Sequence, residues 1–225
     1  MMTVRQSLAL RAAKAVRSLV PCVALVALFG ATAQASLLPP GVTALAVGEA
    51  EPGPSAIVAT LTVPVVAPTF TGSLTSTVLS GDPTNPFPGG LTFIYDLSND
   101  PGSPHAVHRL TVSNFTGFLT DVSYSTLTPG IAPTLMDRGP LAGDVVGFTF
   151  VGFPLGAGAL VPGGVATTLV VQTDATIFTV SKAAVIDGST ANVDTLAPKA
   201  IPEPATLVMA LIGAALSGFW FWRRR

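Results

Sequence analysis

Cysteine is all but missing from these 225 residues: the single Cys22 lies in an apolar run near the start. Once that run is removed no thiol remains, which rules out disulfides, cysteine-ligated zinc, iron–sulfur clusters and a cysteine nucleophile. Bases are scarce as well. Between residues 36 and 200, Arg109, Arg138, Lys182 and Lys199 face eleven acids, a formal charge of −7. A phosphate-binding surface needs clustered Lys and Arg, so nucleic acid is not expected as a partner. The same stretch has two Glu, two Lys and no Trp, against 23 Thr. Few strong helix formers and many β-branched residues predict an all-β domain.

What is present begins with a leader. Arg5, Arg11, Lys14 and Arg17 occur without an acid and are followed by the apolar run 19–30. Twelve apolar residues suit a signal-peptide core and are short for a permanent membrane helix. Ala33-Gln34-Ala35 supplies an Ala-x-Ala cleavage site, so residues 1–35 are expected to be removed and the mature chain to start at Ser36. Cys22 follows Leu19-Val20-Pro21 rather than the small residues that precede a lipidated cysteine, and it leaves with the leader.

The other end carries a second signal. An uncharged stretch, 205–222, runs directly into Arg223-Arg224-Arg225. Eighteen helical residues at about 1.5 Å each reach roughly 27 Å, enough to span a hydrocarbon core. Trp220 and Trp222 fall where an interfacial aromatic belt belongs, and the arginines are expected on the cytoplasmic side. Just before the stretch, Pro202-Glu203-Pro204 holds the backbone extended and denies it helix hydrogen bonds. Together these residues resemble the PEP-CTERM sorting signal of Gram-negative bacteria that make extracellular polysaccharide. The resemblance covers about 25 residues. It implies that Pro202, Glu203 and Pro204 are the recognition motif, that 205–222 is the span, and that Arg223, Arg224 and Arg225 are the basic end. It also implies exosortase, an integral-membrane cysteine peptidase, as the processing partner.

Between the two signals, 36–54 is a Pro/Gly-rich leading segment, 55–197 the domain and 198–204 a linker. Short runs alternate apolar and hydroxyl residues at 57–66, 74–79, 91–97, 107–115, 119–126, 145–151, 167–173, 176–182 and 184–193, each bounded by Gly, Pro, Asn, Asp or Ser. Period two over strand-length runs predicts an antiparallel β-sandwich or jelly roll. Phe93, Tyr95, Leu110, Val112, Phe148 and Phe150 are the expected core. The Gly156-Ala157-Gly158 of the long Gly/Pro loop is followed by Val161 where a dinucleotide fingerprint needs Gly, and no helix is expected after it.

Candidate chemistry is thin. His105 and His108, three apart, fall on opposite faces of a strand and cannot share a metal without a loop between them. Asp96, Ser98 and Asp100 have the rhythm of a calcium loop. Pro101 stands where an EF-hand needs Gly, which leaves a non-EF calcium site from Asp96, Asn99, Asp100 and Asp82, or a plain Asx-turn hairpin. No Gly-x-Ser-x-Gly elbow exists, and a serine triad would depend on one of the two histidines. The expectation is therefore a non-enzymatic protein without a cofactor other than possible calcium. It would be exported by the Sec machinery, held transiently in the inner membrane with its domain outside, and processed into the envelope or extracellular matrix. There a structural or adhesive β-domain could meet extracellular polysaccharide. A membrane-anchored carbohydrate-binding module and a secreted hydrolase are the alternatives.

Overall fold

The computed structural model describes residues 37–151 and 158–199. The predicted leader with its Ala33, Ala35 and Ser36 cleavage site, the stretch 152–157 and everything from residue 200 lie outside them. Among the described residues there are twelve strands and no helix: β1 (Thr43–Leu45), β2 (Gly48–Glu49), β3 (Ala56–Val66), β4 (Thr71–Ser80), β5 (Thr92–Asn99), β6 (Arg109–Val112), β7 (Thr120–Ser125), β8 (Leu135–Arg138), β9 (Val146–Thr149), β10 (Leu169–Thr173), β11 (Phe178–Ile186) and β12 (Thr190–Pro198). They form two six-stranded sheets, one ordered β1-β8-β9-β6-β11-β12 and the other β2-β7-β10-β5-β4-β3. Every strand pair is antiparallel except β2 with β7.

Alternation along the strands builds the core. On β5, Phe93, Tyr95 and Leu97 are buried while Ile94, Asp96 and Ser98 point the other way. Leu110 and Val112 of β6, Phe148 of β9 and the adjacent Phe150 are fully buried in the same cluster, so all six expected core residues lie in it. Phe93 meets Phe115 edge to face at 6.3 Å between centroids, the geometry that ring quadrupoles favour.

The two sheets are also tied by polar bonds. The buried Tyr95 hydroxyl donates to the Leu196 carbonyl of β12 at 3.0 Å, and the Leu196 N–H donates to Ser76 Oγ of β4 at 3.0 Å. One strand of the first sheet is thereby fastened to two strands of the second. This draws β12 against β3 and β4 and closes that side of the sandwich.

Several boundaries differ from those the pattern predicts. The run 107–115 shrinks to the four residues of β6, because Asn114 turns to φ 86° and leaves extended geometry. The runs 176–182 and 184–193 redistribute: β11 continues through Ala183 and Ala184, and the turn comes later, at Asp187-Gly188-Ser189. Strand β8, Leu-Met-Asp-Arg, has no β-branched residue and falls in none of the predicted runs. The leading segment is structured too: β1 and β2 join opposite sheets, and Leu38 and Glu51 are buried.

Strands β7, β9 and β11 begin at the end of the sandwich where β6, β8, β10 and β12 finish. We term this the exit end, since the chain leaves it toward residue 200. Replacing Tyr95 by Phe should lower stability by about 1 kcal/mol, the usual loss for one buried hydrogen bond. The check is a lower urea midpoint at unchanged slope.

Candidate functional site

The exit end is built around one side chain. Arg138 closes β8 and is buried, yet no carboxylate among the described residues touches it. Its Nε donates to the Gly143 carbonyl at 2.9 Å. Its Nη1 donates to the Leu38 carbonyl at 3.3 Å and to Thr120 Oγ1 at 3.1 Å, and its Nη2 donates to the carbonyls of Phe115 at 2.8 Å and Phe118 at 2.7 Å. The five N–H groups of the guanidinium thus match five acceptors drawn from three separate segments of the chain. Burial pulls the Arg138 pKa below that of a free guanidinium, and Asp174 opposes the shift. The group stays charged, as arginine does in proteins.

Beside Arg138 opens an apolar groove of about 310 Å³, lined chiefly by Leu37, Pro39, Pro40, Phe118, Leu119 and Ala142. At the tip of the β8–β9 turn Leu141 is 97% exposed and adopts φ 61°, a left-handed conformation that leucine rarely takes. The chain departs from the same end, at the far edge of the sheet that holds β8. Pro198 pairs with Phe178, and the Lys199 N–H donates to the Ile177 carbonyl at 3.0 Å. The sorting residues Pro202, Glu203 and Pro204, the stretch 205–222 with Trp220 and Trp222, and Arg223 to Arg225 come after it in sequence and lie outside the described residues.

A second polar cluster covers the exit-end half of the outer face of the β2-β7-β10-β5-β4-β3 sheet. Asp82 Oδ1 accepts from the N–H groups of Gly53 and Thr84, each at 3.0 Å, and from Thr84 Oγ1 at 2.7 Å. Its Oδ2 accepts from Thr92 Oγ1 at 2.8 Å and Gln172 Nε2 at 3.0 Å. Burial alone would raise the Asp82 pKa, but these donors outweigh it and hold the carboxyl below its ordinary value. Glu51, buried nearby, accepts only the Ser123 hydroxyl. Burial, with smaller contributions from Glu49, Asp121 and Asp82, pushes its pKa up to about 7 against that one hydrogen bond.

At the opposite end, His105 Nδ1 stands 3.3 Å from Asp187 Oδ2, and the carboxylate is buried. Asp187 Oδ1 accepts from the Ser189 N–H at 2.7 Å and from Ser189 Oγ at 2.9 Å. Burial would raise its pKa, but bonds from Thr69 and Ser189 and the nearby His105 bring it below the ordinary range. An acid, a histidine and a serine do meet here, but the serine hydroxyl bonds the acid and not the imidazole. The nucleophile-to-base contact of a hydrolytic triad is not formed. His108 is fixed by its backbone, its N–H donating to the Ile186 carbonyl and its carbonyl accepting from Phe150.

The calcium candidates do not converge. Asp96 lies on the outer face of β5 and accepts from Thr168 Oγ1 at 2.6 Å. Asn99 turns inward, where its Nδ2 donates to the carbonyls of His105 and Leu160. Asp100 comes next, in the turn, and Asp82 belongs to the cluster at the other end of the sheet. Among the described residues no three His, Cys, Asp or Glu side chains are arranged to hold a metal ion. The two positions that sequence reasoning missed, Arg138 and Glu51, carry no local signal beyond being charged residues in a chain with few charges.

Both buried charges make measurable demands on stability. Arg138→Lys supplies three donors for five acceptors and should cost on the order of 3 kcal/mol in urea unfolding, since orphaned buried acceptors each carry a penalty. For Glu51 the demand is a pH dependence. Its folded pKa is about 7 against an ordinary value of 4.5, so the folded state binds more protons between those values and stability falls as pH rises through them. Asp82 and Asp187 are depressed and contribute fully above the ordinary carboxylate range, so they do not vary there. The melting temperature is therefore expected to be higher at pH 5 than at pH 8, and Glu51→Gln should flatten that difference.

No curated protein and no solved structure matches the chain. A family model described as the PEP-CTERM protein-sorting motif does match, over residues 200–225. The chain thus carries a PEP-CTERM protein-sorting motif that follows its last described strand in sequence.

Proposed function

We propose that this is an exported envelope or extracellular-matrix protein, sorted and processed by an exosortase, whose β-domain has a structural or adhesive role. The motif match at residues 200–225 carries the sorting part. In this reading the leader directs Sec-dependent export and is cut before Ser36. The uncharged stretch 205–222 holds the chain in the inner membrane with the domain outside, and the chain is then cleaved near Pro202-Glu203-Pro204.

For the adhesive role the supporting observation is a hydroxyl-rich outer sheet face. Thr60 pairs with Thr77 at 3.3 Å, Thr62 with Thr75 at 2.9 Å and Ser73 with Ser98 at 2.8 Å, with Asp96 and Thr168 alongside. Such a face can exchange hydrogen bonds with hydrated polysaccharide. An aromatic-platform carbohydrate module finds less support: Tyr95 is buried, and Tyr124 is half-buried with its ring against Gly48.

Intact-mass analysis of protein recovered from its native cells is the test. A start at Ser36 and the loss of everything beyond about residue 204 are expected. A mass that retains Arg223 to Arg225 on protein outside the cell overturns the processing.

A further inference from the structure

We propose that the exit end of the sandwich is a lipid-docking surface, and that it rests on a neutral bilayer face while the tail holds the chain in the membrane. The inference rests on the proposed entry of residues 205–222 into the bilayer.

Tether length comes first. The bond from Lys199 to Ile177 fixes where the chain leaves the domain. From Lys199 to Ala205 there are six residue steps, which span about 20 Å at full extension. The interfacial layer on each side of the hydrocarbon is itself about 5–8 Å deep. The domain therefore cannot stand far from the headgroups, and the part of it nearest the tether is the exit end.

That end is chemically suited to the contact. Leu37 (58% exposed) and Leu119 (57%) line the apolar groove, and Leu141 (97%) and Ile177 (39%) project at the same end from two further loops. Exposure alone does not decide the matter, because Leu127 at the opposite end is 66% exposed. What distinguishes the exit end is that the chain leaves from it, at Ile177, and the loop that carries Ile177 is bonded to the groove residue Leu119 through Asp174. The loops that carry Leu37, Leu119 and Leu141 are also held together by Arg138, so they meet a surface as one preformed patch. Presentation of Leu141 at a left-handed turn tip, where glycine is the easy choice, puts a four-carbon side chain at the outermost position.

Charge selects the kind of lipid. Asp144 and Asp174 are exposed at this end. Arg138 is buried, Arg109 is paired with Asp137 at 2.5 Å and Lys182 with Asp194 at 2.5 Å, which leaves Lys199 as the exposed unpaired base near the exit among the described residues. A surface of this sign gains nothing from anionic headgroups. Apolar insertion into a zwitterionic face is the chemistry that fits.

The experiment places one environment-sensitive fluorophore at a time on the full chain in phosphatidylcholine vesicles that contain a headgroup-level nitroxide quencher. On a Cys22→Ser background the label sites are Leu141→Cys at the exit end, Leu127→Cys at the far end and Ser217→Cys in the tail. Quenching at positions 141 and 217, with the label at 127 at least several-fold less quenched, is expected. Quenching should fall at 141 when Leu37 and Leu119 are both changed to Ser. A quenched tail with equal, weak quenching at 141 and 127 overturns the docking while leaving membrane anchoring in place. An unquenched tail overturns both. Quenching at 141 that requires phosphatidylglycerol overturns the apolar account.

Discussion

A buried guanidinium without a carboxylate partner among the described residues is the constraint around which the exit end is organised. Removing a charge from water is costly, and Arg138 recovers that cost only if each of its N–H groups finds an acceptor in the right direction. The five acceptors come from Leu38, Phe115, Phe118, Thr120 and Gly143, so the beginning of the described chain, the β6–β7 connection and the β8–β9 turn are set by a single planar fork. A guanidinium can do this where an ammonium cannot, because its donors diverge in a fixed plane. The groove and the position of Leu141 inherit their geometry from it.

Acidity is handled in two contrasting ways on the other sheet. Asp82 is surrounded by donors from Gly53, Thr84, Thr92 and Gln172, residues drawn from widely separated parts of the chain. Glu51, two residues before Gly53, has a single hydroxyl and three acidic neighbours. One carboxylate stitches distant segments together as an anion, while the other sits most comfortably as a neutral acid. The fold tolerates the second because the first anchors the same segment.

The all-β class and the better strands were legible because alternation is a local pattern: β3, β4, β5, β7, β9 and β10 each show it within a single short run of sequence. Strands β1 and β2, three and two residues long, are too short to show any period. Strand β11 reads Ser181-Lys182-Ala183-Ala184 at its centre, which resembles a break although its edge on β12 pairs without interruption from Phe178 to Ile186. The sorting motif was legible for a different reason, since Pro202-Glu203-Pro204, the uncharged stretch and the terminal arginines are contiguous and need no partner. Arg138 and Glu51 were not. Their roles depend on burial and on partners 5 to 100 residues away, and sequence spacing encodes neither.

The last strand lends the two ends of this molecule unequal tolerance to shortening. β12 finishes at Pro198, and Leu196 within it bonds both Tyr95 and Ser76 of the facing sheet. A chain trimmed anywhere from residue 202 onward keeps that strand whole. Trimmed about seven residues sooner, it forfeits the rivet that joins the sheets. In the proposed processing, a cut near Pro202-Glu203-Pro204 therefore falls only a few residues short of opening the domain, and the residues between Leu196 and the motif provide that margin.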